Sequence, residues 1–175
     1  CPPRADEYER ALRSYAQEQW SAGISHPAWS EASRSQNAIS SGYSQADIDA
    51  LDQRWRAEVG VADQPTITPV LGNAAAEFLR GQVAASQGVI AEAFVMDHRG
   101  LNVAASAPTS DYWQGDEAKH SATYGVGAGA IHISDVEFDE SAQVYLGQVS
   151  LSITDPDTQE VIGAITVGLN AEALL

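Results

Sequence analysis

Residues 111–117 combine two adjacent aromatic side chains with three carboxylates, in a segment whose pattern indicates a loop. Aromatic faces supply contact area and attract cations, and carboxylates supply hydrogen-bond acceptors and negative charge. The combination predicts a pocket for a small polar or cationic ligand, lined by Tyr112, Trp113 and Asp116. The alternative is a solvated loop with one aromatic residue, such as Trp113, directed into the core.

Other side chains are open to two interpretations. Tyr124 and Tyr145 could complete an aromatic wall of the same pocket, or be ordinary sheet residues. His120 follows the segment closely and could line the pocket, or lie on the surface of a short helix. The stretch 100–118 contains no Arg or Lys, which disfavours a simple anionic ligand, although Lys119 is close.

The sequence does not indicate a catalytic or metal site. No two of the four histidines have the i, i+4 spacing of metal ligands on a helix. A nucleophile elbow is absent, and the single cysteine is at position 1. Among 24 acidic residues, chance carboxylate pairs are expected, so they do not define an acid/base pair. We therefore predict no enzyme activity, no metal and no cofactor.

Charge and length restrict the partners. The chain has 175 residues and a net charge of −15, from 9 basic and 24 acidic residues. Nucleic acids and anionic membrane surfaces need clustered cations, so both are disfavoured as partners. A chain that begins with Cys1 resembles a bacterial lipoprotein after removal of its signal peptide, with Cys1 carrying the lipid. The alternative is a chain boundary that falls at a cysteine by chance.

The N-terminal part is predicted to be helical. Apolar residues at three- and four-residue spacing predict three helices, over 5–20, 44–60 and 69–88. Ser44 and Asp47 form a pair like a capping box at the start of the second helix. Residues 21–43 are rich in Ser and Ala without clear periodicity, and are predicted to form a long connection.

After Gly88 the pattern changes from helix to strand. The alternation predicts five strands, over 89–96, 101–105, 131–138, 144–154 and 161–169. A phase shift predicts a bulge or twist near Gly147. Residues 107–129 form one long excursion between the second and third strands, and 111–117 lies within it. The order of elements is that of an α+β fold with an antiparallel sheet. We expect the N-terminal helices on one sheet face and the excursion on the other.

Three segments carry a resemblance to a known family. Residues 94–106, Phe-Val-Met-Asp-His-Arg-Gly-Leu-Asn-Val-Ala-Ala-Ser, resemble the first hairpin of Cache domains, the PAS-like extracytoplasmic sensors also called PDC domains. Residues 111–117 are similar to the segment that follows this hairpin in many single-Cache sensors. Residues 163–170 are similar to the last strand of the family. The order and spacing of the motifs agree over 70–172.

The resemblance implies a five-stranded antiparallel sheet, a long N-terminal helix and a pocket between the sheet and the loops after the second strand. Such pockets take amines, amino acids, carboxylates or other small metabolites. By position, Tyr112, Trp113 and Asp116 match the pocket wall, and Asp135 and Tyr145 are further candidates on the third and fourth strands. Convergence of the aromatic residues with Asp116 and Asp135 would favour a cation.

We therefore expect one globular unit, with a helical region and connection at 1–68 and a Cache-like sensor domain at 69–175. The chain has no apolar run of the roughly 20 residues that span a membrane, and no signalling output module. The expected role is an extracytoplasmic, lipid-anchored module that binds a small molecule and presents it to a membrane signalling protein. The alternative is a structural or adaptor lipoprotein that binds proteins through 21–43 and the N-terminal helices.

Overall fold

The computed structural model describes residues 4–21, 24–140 and 142–175, and these contain six α-helices and a six-stranded sheet. The helices are α1 (Ala5–Gln19), α2 (Pro27–Ser40), α3 (Gln45–Glu58), α4 (Thr68–Leu71), α5 (Ala74–Ala85) and α6 (Ala118–Ser121). The strands are β1 (Ile90–Met96), β2 (Asn102–Ala105), β3 (Ile131–Ile133), β4 (Glu137–Asp139), β5 (Val144–Thr154) and β6 (Val161–Asn170). The predicted α+β class is confirmed.

The sheet is antiparallel throughout, with the order β2-β1-β6-β5-β3 and with β4 also paired to β5. The strands β1 and β6, which are the first and last along the chain, are therefore neighbours at the centre of the sheet. Six strands replace the predicted five because the predicted strand 131–138 is interrupted. Its first part pairs with residues 149–151 of β5, and its second part pairs with residues 144–146.

Of the bulge or twist predicted near Gly147, the bulge is wrong. The pairing of β5 with β6 is regular through Gly147, and the register shifts between Ile153 and Thr154 instead. Gly147 has a packing reason, because a Cβ at this position would lie 2.5 Å from the Cδ1 atom of Leu12 on α1. The glycine therefore lets α1 approach the sheet closely.

One face of the sheet is covered by α1, α2 and α5. Buried side chains of these helices meet the inward side chains of the strands, among them Leu12, Trp29, Leu79, Val95, Val149 and Val167. The predicted connection at 21–43 is wrong, since α2 occupies most of it. The sequence pattern did not predict this helix because three of its four buried residues are serines, so apolar residues do not recur at helical spacing. These serines are Ser30, Ser33 and Ser40.

Side-chain amides fasten α2 to the β1–β2 hairpin and to β6. Asn37 Nδ2 donates to the carbonyl of Ile162 at 2.8 Å, and its Oδ1 accepts the N–H of His98 at 2.9 Å. Gln36 Nε2 donates to Asp97 Oδ2 at 3.0 Å. Hydrogen bonds thus supply the specificity that small serines cannot supply by packing.

The opposite face is covered by α3, the 58–71 segment and the excursion 107–129. Trp55 is fully buried there against Ile67, Phe94 and Met96. The expectation that all N-terminal helices pack on one face is therefore wrong for α3. The predicted capping box of this helix is confirmed, with Ser44 Oγ accepting from Asp47 N and Asp47 Oδ2 accepting from Ser44 N.

The predicted helix 69–88 is divided into α4 and α5 by Asn73. Its Oδ1 accepts the N–H of Ala76 at 2.8 Å and caps α5. Its Nδ2 donates to the carbonyls of Pro69, at 3.1 Å, and of Val103, at 2.9 Å. One side chain therefore begins α5 and joins it to the edge strand β2. Within the described ranges, none of the helices has the length and apolarity needed to cross a membrane.

Candidate functional site

The segment 111–117 is anchored by its own backbone and by one indole. Asp52 Oδ1 on α3 accepts the N–H groups of Tyr112 and Trp113 at 2.9 and 3.0 Å. Trp113 Nε1 donates to the carbonyl of Arg99 in the β1–β2 turn at 2.8 Å, and Trp113 forms a β-bridge with Leu101. These bonds account for the position of Trp113, whose ligand role stays a prediction.

Tyr112 and Tyr124 lie over the same sheet face as Trp55. The ring of Tyr112 is 5.0 Å from the ring of Trp55, and Tyr124 stacks on His120 at 5.1 Å. Burial, followed by the charge of Asp97, raises the pKa of Tyr112 to about 12, so its phenol is neutral at ordinary pH. Both tyrosines pack against the cluster that contains Trp55.

The remaining predicted residues lie apart from this aromatic group. Asp116 is exposed at the surface. Tyr145 is on β5, with its ring 6.3 Å from Tyr8 of α1 and 5.2 Å from Phe138 of β4. Asp135 and Tyr145 both line a groove against α1. The six predicted residues therefore occupy different parts of the surface and do not form a single wall.

A concavity of about 610 Å³ lies on the sheet face that Trp55 also covers. We call it the acidic concavity, and its lining residues are Glu92, His132, Ile133, Ser134, Asp135, Glu137, Phe138, Asp139, Leu146, Gln148 and Gly168. Four of these are carboxylates, and one is a histidine. Asp135 is the only predicted site residue among them.

The floor of the acidic concavity follows from the strand register. Residues directly opposite each other on antiparallel strands point to the same face. One row across β1, β6 and β5 is Glu92, Gly168 and Gln148. The next row, which continues onto β3, is Phe94, Thr166, Ser150 and His132. The face is thus largely polar along these two rows. The hydroxyl oxygens of Ser150 and Thr166 are 2.8 Å apart and form a hydrogen bond.

Gly168 allows two polar side chains to meet across β6. Gln148 Nε2 donates to Glu92 Oε1 at 3.1 Å, although the strand of Gly168 separates β5 from β1. A Cβ on Gly168 would lie 2.7 Å from Glu92 Cγ and 3.2 Å from its Oε1. The absence of a side chain at this position therefore leaves room for the half-buried Glu92 carboxylate on the floor.

A smaller recess of about 200 Å³ adjoins the acidic concavity and shares His132, Ser134 and Gln148 with it. Lys119 lines this recess with its side chain only 16% exposed. Its Nζ is 3.0 Å from Glu117 Oε2 and 5.3 Å from the centre of the Phe94 ring. The acidic concavity and the recess form one continuous space. Carboxylates line its larger part, and the ammonium group of Lys119, paired with Glu117, lies at its other end.

This arrangement suits binding better than bond making. Carboxylates hold ammonium groups, Lys119 can bind a carboxylate beside its partner Glu117, and the side chains of Ser134 and Gln148 supply neutral hydrogen bonds. Over the described residues, no three His, Cys, Asp or Glu side chains are grouped so that they could hold a metal ion.

Five residues that line this space were not predicted from the sequence to be site residues: Glu92, Lys119, His132, Gln148 and Gly168. A signal was present in β5, where Gln148, Ser150, Ser152 and Thr154 alternate with apolar residues. Such alternation marks a polar sheet face. Glu92 is likewise a single charge within an apolar strand. Only the pairing of β1, β6 and β5 shows that these positions lie side by side.

His120 is neither a pocket residue nor a surface residue. It is only 6% exposed, and its Nε2 donates to the carbonyl of Asp97 at 3.0 Å. Burial lowers the pKa of His120, and the hydrogen bond and charge of Asp97 oppose this shift only in part. His120 therefore fastens α6 to the β1–β2 turn in its neutral form.

We expect the free energy of unfolding to fall as the pH drops below about 6.5, the pKa of an unperturbed histidine. The folded-state pKa of His120 is the lower one, so the unfolded chain binds the extra proton first and acid favours unfolding. Urea unfolding at pH 7.5 and at pH 5.5 measures the effect, which is expected to be smaller in His120→Gln. An equal loss in both proteins would show that another group is responsible.

No protein-family model matches the chain, and no curated protein matches it in sequence. Solved structures of similar fold include the sensor domain of the V. cholerae histidine kinase DctB, at 15% identity and a TM-score of 0.43, covering 97% of this chain and 54% of that one. The ligand-binding domain of the Pseudomonas aeruginosa PAO1 amino acid chemoreceptor PctC, in complex with GABA, has 13% identity and a TM-score of 0.46, covering 83% and 59%. That of the Campylobacter jejuni chemoreceptor Tlp3, in complex with 4-methylisoleucine, has 10% identity and a TM-score of 0.41, covering 98% and 63%.

These three chains are sensor or ligand-binding domains of a histidine kinase and of two chemoreceptors. The present chain spans between about half and two thirds of their lengths. At these identities and TM-scores, the likeness transfers no ligand and no function to this protein.

Proposed function

We propose that this protein is an extracytoplasmic sensory module that binds a small molecule in the acidic concavity. The observation that carries the proposal is the floor of Glu92, Gly168 and Gln148, beneath a space of about 610 Å³. This volume is within the range of about 300–1,000 Å³ that small-molecule sites have in proteins.

The ligand that fits these charges is a small amine or a zwitterion such as an amino acid. Its ammonium group would face Glu92 and the other carboxylates of the acidic concavity. A carboxylate on the same ligand would extend toward Lys119 and His132 in the adjoining recess. A ligand with only a carboxylate fits less well, because four acids line the larger space. Tyr112 and Tyr124 would close the sheet face beside the recess and fix the excursion.

The proposal includes an anchor and a partner. Cys1 lies outside the described residues, and its lipidation stays a prediction that the mass of the native protein checks. The partner we propose is a membrane signalling protein that responds to the occupied state. The adaptor alternative placed the contact on 21–43 and the N-terminal helices, and its first part is weakened because α2 buries Trp29, Ser30 and Ser33.

We expect a thermal-shift screen over amines, amino acids and carboxylates to identify ligands that carry an ammonium group. A ligand present at 100 times its dissociation constant stabilises the folded protein by about 2.7 kcal/mol. The Glu92→Gln variant keeps the shape of the side chain but removes the charge of the floor, so it is expected to weaken these ligands about tenfold or more.

Glu160→Gln is the matched control for this experiment. It makes the same chemical change at an exposed position in the β5–β6 turn, away from the acidic concavity. Ligand affinity should be unchanged in this variant. A screen without ligands, or ligands that bind Glu92→Gln and the parent protein equally, would refute the proposed function.

A further inference from the structure

A second cavity, of about 400 Å³, lies on the other face of the sheet, where α1, α2, α5 and β1 meet. We call it the aromatic cavity. Its aromatic lining residues are Tyr15, Trp20, His26, Trp29 and Phe78. It shares no lining residue with the acidic concavity, so the two spaces are separate.

The rings form one connected group around this cavity. His26 stacks on Phe78 at 4.6 Å and lies 5.3 Å from Trp29. Trp29 meets Phe78 edge-on at 5.6 Å and stacks with Trp20 at 6.0 Å. Trp20 and Trp29 are buried, whereas His26 and Phe78 are half-buried and keep part of their rings accessible. The group therefore presents aromatic faces to a space that a small molecule can enter.

The electrostatics of the aromatic cavity favour a cation. The described residues that line it include no Lys, Arg, Asp or Glu, and its polar groups are those of Tyr15, Gln19, His26, Gln82 and Ser86. The helices α1 and α5 end at the cavity and α2 begins there at its N-cap His26, so two partial negative C-termini face one partial positive N-terminus. Neither α1 nor α5, over its described length, has a basic residue in its last turn. The net charge of −15 adds a general attraction for cations.

We propose that the aromatic cavity is a second ligand site, for a small organic cation such as a quaternary or alkyl ammonium ion. Aromatic faces attract such ions through the negative potential above each ring, and they need no carboxylate to do so. The two helix C-termini supply further negative potential without a charge that would have to be desolvated. This recognition differs from that of the acidic concavity, where carboxylates would make the contacts.

Choline and its neutral isostere 3,3-dimethylbutan-1-ol test the proposal on the whole chain. The two probes have nearly the same shape and differ in charge. Tryptophan fluorescence reports on the site, since Trp20 and Trp29 line it, and calorimetry gives the affinity. We expect saturable binding of choline, with the neutral isostere at least about threefold weaker because it lacks the cation–π attraction.

Two variants locate the binding. Gln82→Lys places a positive charge at the aromatic cavity, and a lysine in the last turn of α5 is compatible with the helix end. It is expected to weaken choline about tenfold or more. Phe78→Leu removes one accessible ring but keeps an apolar side chain, and is expected to weaken choline about threefold. The unfolding transition of each variant confirms that it is folded.

Three outcomes would overturn the proposal. They are no saturable choline binding, equal binding of the neutral isostere, and choline binding that is lost in Glu92→Gln but kept in Gln82→Lys. The last result would place the cation in the acidic concavity and so support the proposed function alone. Conversely, choline binding that depends on Gln82 and Phe78, together with a failed screen at Glu92, would refute the proposed function and keep the aromatic cavity as a site.

Discussion

Replacement of Trp55 by alanine is expected to lower the free energy of unfolding by about 3–5 kcal/mol, the usual loss for a fully buried tryptophan. Trp55 has no exposed surface, and it packs against Phe94 and Met96 of β1 and against the ring of Tyr112. Its Nε1 also donates to the buried carbonyl of Thr109 at 2.8 Å. The alanine variant therefore leaves both a void and an acceptor without its donor. Urea unfolding measures the loss.

Trp55→Phe separates the two contributions. The phenylalanine keeps most of the aromatic packing but cannot donate to Thr109, so a smaller loss of about 1–3 kcal/mol is expected. A loss below about 1 kcal/mol in the alanine variant would contradict the buried position of Trp55, since such a small effect is typical of surface substitutions.

Gly100→Ala is expected to cost about 2–5 kcal/mol, from left-handed backbone strain and from overpacking together. Gly100 has a φ of +88° in the turn between β1 and β2, where its N–H donates to the carbonyl of Asp97 at 3.0 Å. A Cβ at this position would collide with the backbone N and Cα atoms of Gly115. Backbone cannot move aside as a flexible side chain can, so the turn and the segment 111–117 would separate.

Gly88→Ala is the matched control for the backbone strain alone. Gly88 has a φ of +93°, close to that of Gly100, but a Cβ there would meet no atom within 4 Å. Its expected cost is about 1–2 kcal/mol. The difference between the two variants, measured by urea unfolding, isolates the contact between Gly100 and Gly115. Equal losses would mean that this contact does not contribute.

Local chemistry explains which elements could be predicted. The capping box at Ser44 and the change of period after Gly88 each act within a few residues, and both were predicted correctly. The helix α2 was missed because its contact face is made of serines and is held by Asn37 and Gln36 through bonds to distant strands. No periodicity can reveal a helix whose buried face is polar.

The candidate site shows the same division. The sequence singled out 111–117 and placed it beside the sheet, and the structure puts Tyr112 against Trp55 there. The residues that line the acidic concavity come from β1, β3, β4, β5 and β6 and from the link between β3 and β4, so they span a long stretch of the chain. Glu92 and Gln148 are 56 positions apart, and only the register across Gly168 brings them within 3.1 Å.

The sequence by itself determined the class of fold, the antiparallel hairpins and the position of the aromatic and acidic segment after the second strand. These features depend on periodicity, caps and turns, which act over short distances along the chain. The tertiary structure decided which face each helix covers, that the third predicted strand is divided, and where the polar floor lies. Those features depend on which strands are neighbours and in what register. The local patterns of a single sequence do not predict that pairing.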